Sequence, residues 1–207
     1  MNRPNYLQQI RKRISEADQG SVFIPSDFFD IAPAVQVNMG LSRLKNAGEL
    51  VTVKRGIYTK PRYSSLLNEN VPPRSDDMAN AIARNHGWTI VPNGETALNM
   101  LGLSTQVPAV WEYVSNGPYK EYDIEGVKFR FKRTNKKNEI LYISFKTAVL
   151  IQALRGMGKQ HISPPIIKKL ANILTSDEKE LLLSEGRRAT AWIYDCIRKI
   201  CAEDKNK

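Results

Sequence analysis

At 207 residues, with thirty-one Lys and Arg against twenty-one Asp and Glu and a net charge of +10, the chain can hold one large domain or two small ones. Its charge points toward an anionic partner. A hydrophobic fraction of 42% supports a real core, and two cysteines are too few for a disulfide scaffold. No apolar run approaches membrane-spanning length, since Ala148-Val149-Leu150-Ile151 is broken by Gln152 and Arg155, and Met1-Asn2-Arg3-Pro4 leads into no signal-peptide core. A cytoplasmic protein with no membrane partner is expected.

Leu7, Ile10, Ile14 and Ala17 fall at helical spacing and predict a first helix ended by Gln19-Gly20. A short strand over 21–24 follows. Pro25-Ser26-Asp27 then predicts a second helix through Phe28, Phe29 and Ile31, with Ser26 as its N-cap. Pro33 suits the start of a third helix over 33–47, closed by Gly48. In that helix Ala34, Val37, Leu41 and Leu44 form the expected buried seam. Gln36, Met39, Gly40 and Arg43 take the outward face, with Asn38, Ser42 and Lys45 on its shoulders. Two β-rich runs, 50–54 and 57–60, flank Arg55-Gly56 and predict a tight hairpin.

This order predicts a winged helix-turn-helix over residues 1–62. A linker or surface loop is expected over 63–74, where Ser, Asn and Pro accumulate, and a second α+β domain over 75–207, giving a mixed α+β fold. Ser75-Asp76-Asp77 caps a helix that ends at His86-Gly87. A strand over 88–91, a Pro92-Asn93-Gly94 turn, a helix over 95–103, a strand over 109–115 and an Asn116-Gly117-Pro118 turn come next. Then Val127, Phe129 and Phe131 alternate with Lys128, Arg130 and Lys132 along a strand. Residues 128–137 hold six basic side chains and no acidic one, and a solvated edge strand is the expectation. Helices over 146–155, 165–174, 176–183 and 187–202 close the chain, before a charged tail.

The chemistry-bearing residues point to nucleic acid. Major-groove reading needs amide or guanidinium groups at base edges and cations at phosphates. Gln36, Asn38, Ser42, Arg43 and Lys45 supply these on the third helix, Lys54 and Arg55 at the wing tip, and Ser26 at the start of the second helix. Lys128, Arg130, Lys132, Arg133, Lys136 and Lys137 form a secondary basic candidate. No catalytic residue, metal or cofactor is expected. His86 and His161 are isolated, Asp76-Asp77 reads as a helix N-terminus, and Gly156-Met157-Gly158-Lys159 lacks the spacing and Ser/Thr of a phosphate-binding loop. Cys196 and Cys201, five apart in a helical segment, read as reduced thiols.

Two groups of segments are more specific. The first is Val22-Phe23-Ile24-Pro25-Ser26-Asp27-Phe28, with Val37 to Leu44 and Val53-Lys54-Arg55-Gly56-Ile57-Tyr58. The second runs from Pro92-Asn93-Gly94-Glu95-Thr96-Ala97-Leu98 through Asn99-Met100-Leu101-Gly102-Leu103 to Pro108. Together, over roughly residues 5 to 135, they resemble the AbiEi family of antitoxins from type IV toxin-antitoxin and phage abortive-infection systems. The resemblance implies a winged helix that binds promoter DNA, with repeats in its own operator, and represses its operon. It also implies a C-terminal domain that counteracts a nucleotidyltransferase toxin. The alternatives are a module that inhibits a toxin by direct contact, or a simple winged-helix regulator. Within the second segment Leu98, Met100 and Leu101 read as helix packing, and Asn99, Ser104, Thr105 and Gln106 as a candidate polar surface.

Overall fold

The computed structural model describes residues 5–66 and 68–203. Met1 to Pro4, read above against a signal peptide, and the last four residues of the charged tail lie outside them. Two compact units result: Met1–Gly87 with the short turn Ile124–Gly126, and Trp88–Asp123 with Val127–Lys207. The fold is mixed α+β.

The first unit opens with α1 (Tyr6–Glu16), whose Asn5 side chain accepts a hydrogen bond from the Gln8 N–H at 3.1 Å. At its other end Lys60 Nζ donates to the Ser15 and Ala17 carbonyls at 2.7 and 2.6 Å, a cation where the helix dipole favours one. β1 (Val22–Phe23) follows, then a single 3₁₀ turn over Pro25–Phe28. This turn replaces the expected second helix. Pro25 and Pro33 bracket too short a segment, and the residue before a proline is pushed out of helical geometry, so the chain continues only as turns through Ala32. Ser26 does not cap it. The Asp27 carboxylate accepts from the Ile24 N–H at 2.9 Å instead.

α2 spans Ala34–Asn46, with Pro33 at its N-cap rather than in its first turn. It ends as the glycine predicts. Gly48 has φ +76°, Glu49 N–H donates to Leu44 O and Gly48 N–H to Lys45 O, both at 3.0 Å, which satisfies carbonyls left over by the last turn. β2 (Val51–Lys54) and β3 (Ile57–Thr59) form the expected hairpin, with Gly56 at φ +78°. β3 also pairs with β1, giving an antiparallel sheet in the order β1-β3-β2. Ile10, Ile14, Phe28, Val37, Leu41, Leu44 and Leu50 are buried in a common core beneath it.

The expected linker is a ribbon. β4 (Tyr63–Ser64) and β5 (Glu69–Asn70) pair antiparallel. α3 (Ser75–His86) starts without a side-chain cap, so Ser75 opens the helix rather than capping it, and Gly87 ends it at φ +66°. α3 also belongs to the first unit, not to the second as its position after residue 74 suggested. It buries Met78, Ala79, Ile82 and Ala83, and Arg84 donates to Asp27 and to the Val22 carbonyl at 3.2–3.3 Å. A short amphipathic helix docks wherever its apolar face is covered, whatever the composition of the segment before it.

The second unit is built on a four-stranded sheet, in the order β6 (Ile90–Pro92), β7 (Val110–Ser115), β9 (Val127–Arg133), β8 (Lys120–Ile124). β8 was not foreseen, because Lys120-Glu121-Tyr122-Asp123 shows too little apolar alternation to declare itself. β7 and β9 run parallel, Glu112 opposite Arg130 and Tyr113 opposite Phe131. Between β6 and β7 lies α4 (Glu95–Met100). The Pro92-to-Leu98 stretch is fastened there: Asn93 N–H donates to Glu112 O, Asn93 Nδ2 to Glu112 Oε1, and Glu112 N–H to Thr96 Oγ1. Gly94 lies against Gly156, where an added Cβ would stand 2.9 Å from the Gly94 Cα. These residues hold a strand-to-helix connection in place.

α5 (Phe145–Met157) is buried continuously from Thr147 to Leu154. Ala148, Val149 and Ala153 pack with Val91, Ala97 and Ile140. Leu150, Ile151 and Leu154 face the helices α6 (Pro164–Asn172), α7 (Ser176–Glu185) and α8 (Ala191–Ala202). Helix α7 is capped reciprocally by Thr175 and Glu178. Cys196 and Cys201 are free thiols on α8, and burial pushes both pKa values up. No helix among the described residues is long and apolar enough to cross a membrane.

Candidate nucleic-acid interface

The side of α2 that faces solvent is set by α1. Val37, Gly40, Leu41 and Leu44 are buried, and a Cβ at Gly40 would come 3.1 Å from Ile10 Cδ1. Gly40 therefore belongs to the interface with α1, not to the outward face, because its missing side chain lets the two helices approach. Ala34, expected in the seam, is exposed. The outward face is thereby rotated. Val35, Met39, Ser42 and Asn46 run along its middle at helical spacing, Gln36 and Arg43 on one flank and Asn38 and Lys45 on the other.

Among the described residues no hydrogen bond or ion pair engages the side chains of Gln36, Asn38, Ser42, Arg43 or Lys45, all of which are exposed. Neighbouring charges are committed elsewhere. Arg11 pairs with Glu49 at 2.9 Å, and Arg13 with Asp30 at 2.6 Å. Arg13 is held protonated and Asp30 ionised by that hydrogen bond above all. From Ile31 to Asn68 the only carboxylate is Glu49, and Arg11 holds it. α2 and the hairpin thus present cations without competing acid. Arg55 is exposed at the tip, whereas Lys54 is half-buried and has a partner within the fold. Ser26 is exposed on the 3₁₀ turn.

The secondary basic surface fares differently. β9 is an interior strand, flanked by β7 and β8, so its lysines do not guard an edge. Arg130 pairs with Glu112 at 3.1 Å and Glu121 at 2.6 Å, and Lys132 pairs with Glu112 at 2.7 Å. The acids come from neighbouring strands, out of sight of a local charge count. Lys136 lies 3.9 Å from Glu139, while Lys128, Arg133 and Lys137 are exposed. Within the candidate polar surface of Asn99, Ser104, Thr105 and Gln106, Asn99 Nδ2 donates to the backbone carbonyl of Gln106, and Ser104 Oγ accepts from the backbone N–H of Gln106.

Glu112 gives this network a pH dependence. Burial pushes its pKa up, but hydrogen bonds from Lys132 and Arg130 outweigh that and hold it below the usual 4.5. A carboxylate with a lowered folded-state pKa stabilises fully above its unfolded value and loses that contribution as pH falls through the folded one. Below pH 4.5 the melting temperature of the wild-type second unit should therefore fall more steeply than that of Glu112→Gln. Thermal melts across the acid range measure both slopes, and equal slopes would remove Glu112 from the acid limb.

A cleft of about 820 Å³ beside β1 brings together Arg13, Arg62, Arg74 and Arg84, residues the sequence reading did not single out. Arg13 and Arg84 are bound to Asp30 and Asp27, and Asp18 and Asp77 match the other two in number. The lining itself holds these four arginines against three aspartates, Asp18, Asp27 and Asp77, because Asp30 is not part of it. Among the described residues no group of three or more His, Cys, Asp or Glu is placed to hold a metal ion.

The family of unknown function DUF6088 matches residues 9–182. None of the curated proteins matches the chain. Among solved structures, the crystal structure of the Rv2827c protein from Mycobacterium tuberculosis is similar at 13% identity and a TM-score of 0.42, over 100% of this chain and 84% of that one. That likeness is too distant to bear on function. The chain belongs to the DUF6088 family.

Proposed function

We propose that the first unit is a winged helix-turn-helix that binds duplex DNA, with α2 in the major groove and the β2–β3 hairpin as its wing. The observation that carries this reading is the α2 face itself: exposed amide and cationic groups, unpartnered among the described residues, on a helix without a carboxylate. The element order and the β1-β3-β2 sheet support it, since they leave a helix free to enter a groove and a basic hairpin beside it. The protein's net charge of +10 favours association with a polyanion.

Its biological role, on this proposal, is that of an autorepressing antitoxin of the AbiEi type, the DNA-binding unit acting on the promoter of its own operon. Support for the antitoxin part is the resemblance of the 22–58 and 92–108 segments, and it is independent of the α2 geometry. Fluorescence anisotropy on labelled DNA from upstream of the gene tests the DNA-binding part. Arg43→Ala and Arg55→Ala should each weaken binding, and each should lower the slope of log affinity against log salt by about 0.9 if its phosphate contact is lost. Wild-type affinity and slope in both variants would show that DNA is not met by this face. Co-expression with a neighbouring nucleotidyltransferase gene tests the antitoxin part: growth should be restored, and persistent arrest would refute it.

A further inference from the structure

The middle of the outward α2 face is apolar. Val35 is 67% exposed and Met39 52%, one helical turn apart, with Ser42 and Asn46 continuing their line. Cations stand on both flanks of that line, Arg43 on one and Lys45 on the other, and Val35 lies in the first turn of the helix. A recognition helix meets base edges chiefly with its N-terminal residues. Thymine presents a methyl group in the major groove, which apolar side chains cover.

We propose that Val35 and Met39 read thymine methyl groups, so that the preferred duplex carries thymines under the start of α2. This inference rests on the DNA-binding reading above. Charge selects DNA over a protein as the occupant. A duplex offers phosphates along both edges of the groove and apolar methyl groups between them, which matches cations outside and apolar side chains within. α2 carries no carboxylate that such an occupant would have to desolvate. Gln36 and Asn38, beside the apolar line, can add hydrogen bonds to neighbouring adenines.

The test uses the full-length protein. A duplex is first selected from a random-sequence pool at low salt, then resynthesised with deoxyuridine in place of thymidine at one position at a time. Deoxyuridine lacks only the methyl group. Wild-type protein should lose about fourfold in affinity for each methyl that Val35 or Met39 covers. The double variant Val35→Ser, Met39→Ser should bind thymidine and deoxyuridine duplexes alike, with an unchanged salt slope, because no phosphate contact has gone. Both residues are exposed, so the variant is expected to fold, and Val35→Ala with Met39→Ala serves if serine loosens the helix. Equal wild-type binding of the two duplexes at every position would overturn the proposal while leaving DNA binding standing. Failure to enrich any duplex, with a protein captured on this face instead, would overturn both.

Discussion

Gly117→Ala should destabilise the second unit by about 2 kcal/mol, the cost of forcing a methyl group into a packed site. A Cβ at Gly117 would lie 2.5 Å from Cε2 and Nε1 of Trp88, which no real contact tolerates. The indole lies over the turn backbone there and tilts against Phe131, with ring centroids 5.7 Å apart. Phe131 in turn stacks on Tyr113 at 5.6 Å and meets Tyr122 edge-on at 5.8 Å. Moving Trp88 to admit the methyl strips one side from this aromatic cluster, and moving the turn disturbs the Gly117 N–H bond to Ser115 Oγ. All three tryptophans, Trp88, Trp111 and Trp192, belong to the second unit, so denaturant unfolding followed by intrinsic fluorescence reports that unit. A double-mutant cycle sharpens the test. With Trp88→Phe in place, Gly117→Ala should cost clearly less, since the smaller ring leaves room, and additive costs would mean the two residues do not collide.

Removing Glu139 should be the most damaging single change in the polar interior. Its side chain is 5% exposed and takes Arg155 Nη2 at 2.7 and 2.5 Å on its two oxygens. The Arg155 Nε is buried with no hydrogen-bond partner, so the guanidinium depends on this carboxylate. Glu139→Leu leaves that cation largely buried and unpaired, at a cost of about 3 kcal/mol. Arg155→Met added to it should restore most of the loss, because replacing a buried ion pair by apolar groups of similar size is often neutral. Unfolding curves of the single and double variants decide the matter. A double variant as unstable as Glu139→Leu alone would show that packing, not the stranded charge, is what Glu139 provides.

Much of this chain was legible as periodicity and punctuation. The spacing of Val37, Leu41 and Leu44 placed α2, Gly48 and Gly87 ended their helices, Gly56 turned the hairpin, and Phe129 and Phe131 marked the buried face of β9. Each of these is decided within a turn of helix or a few residues of strand, so local order suffices. The exposed α2 side chains named for DNA were also visible, because a surface residue answers to few neighbours. Ser26 shows where that reading stops. Its composition suits an N-cap, but the prolines on either side leave no helix for it to cap.

By itself, then, the sequence determined the mixed α+β class, most elements and the cationic, carboxylate-free character of α2. Tertiary structure alone decided the rest. It turned Gly40 inward against Ile10 and so put Val35 beside Met39 in the middle of the outward face. It docked α3 on the first unit through Arg84 and Asp27, fifty-seven positions apart. It also placed Glu112 and Glu121 beside Arg130, and Glu112 beside Lys132, so that part of an apparent basic strip is paired while Lys128, Arg133 and Lys137 stay exposed. The physical reason is common to all three. Which side of a helix is covered, and which charge meets which, depends on partners distant along the chain, and only the folded chain brings them within contact range.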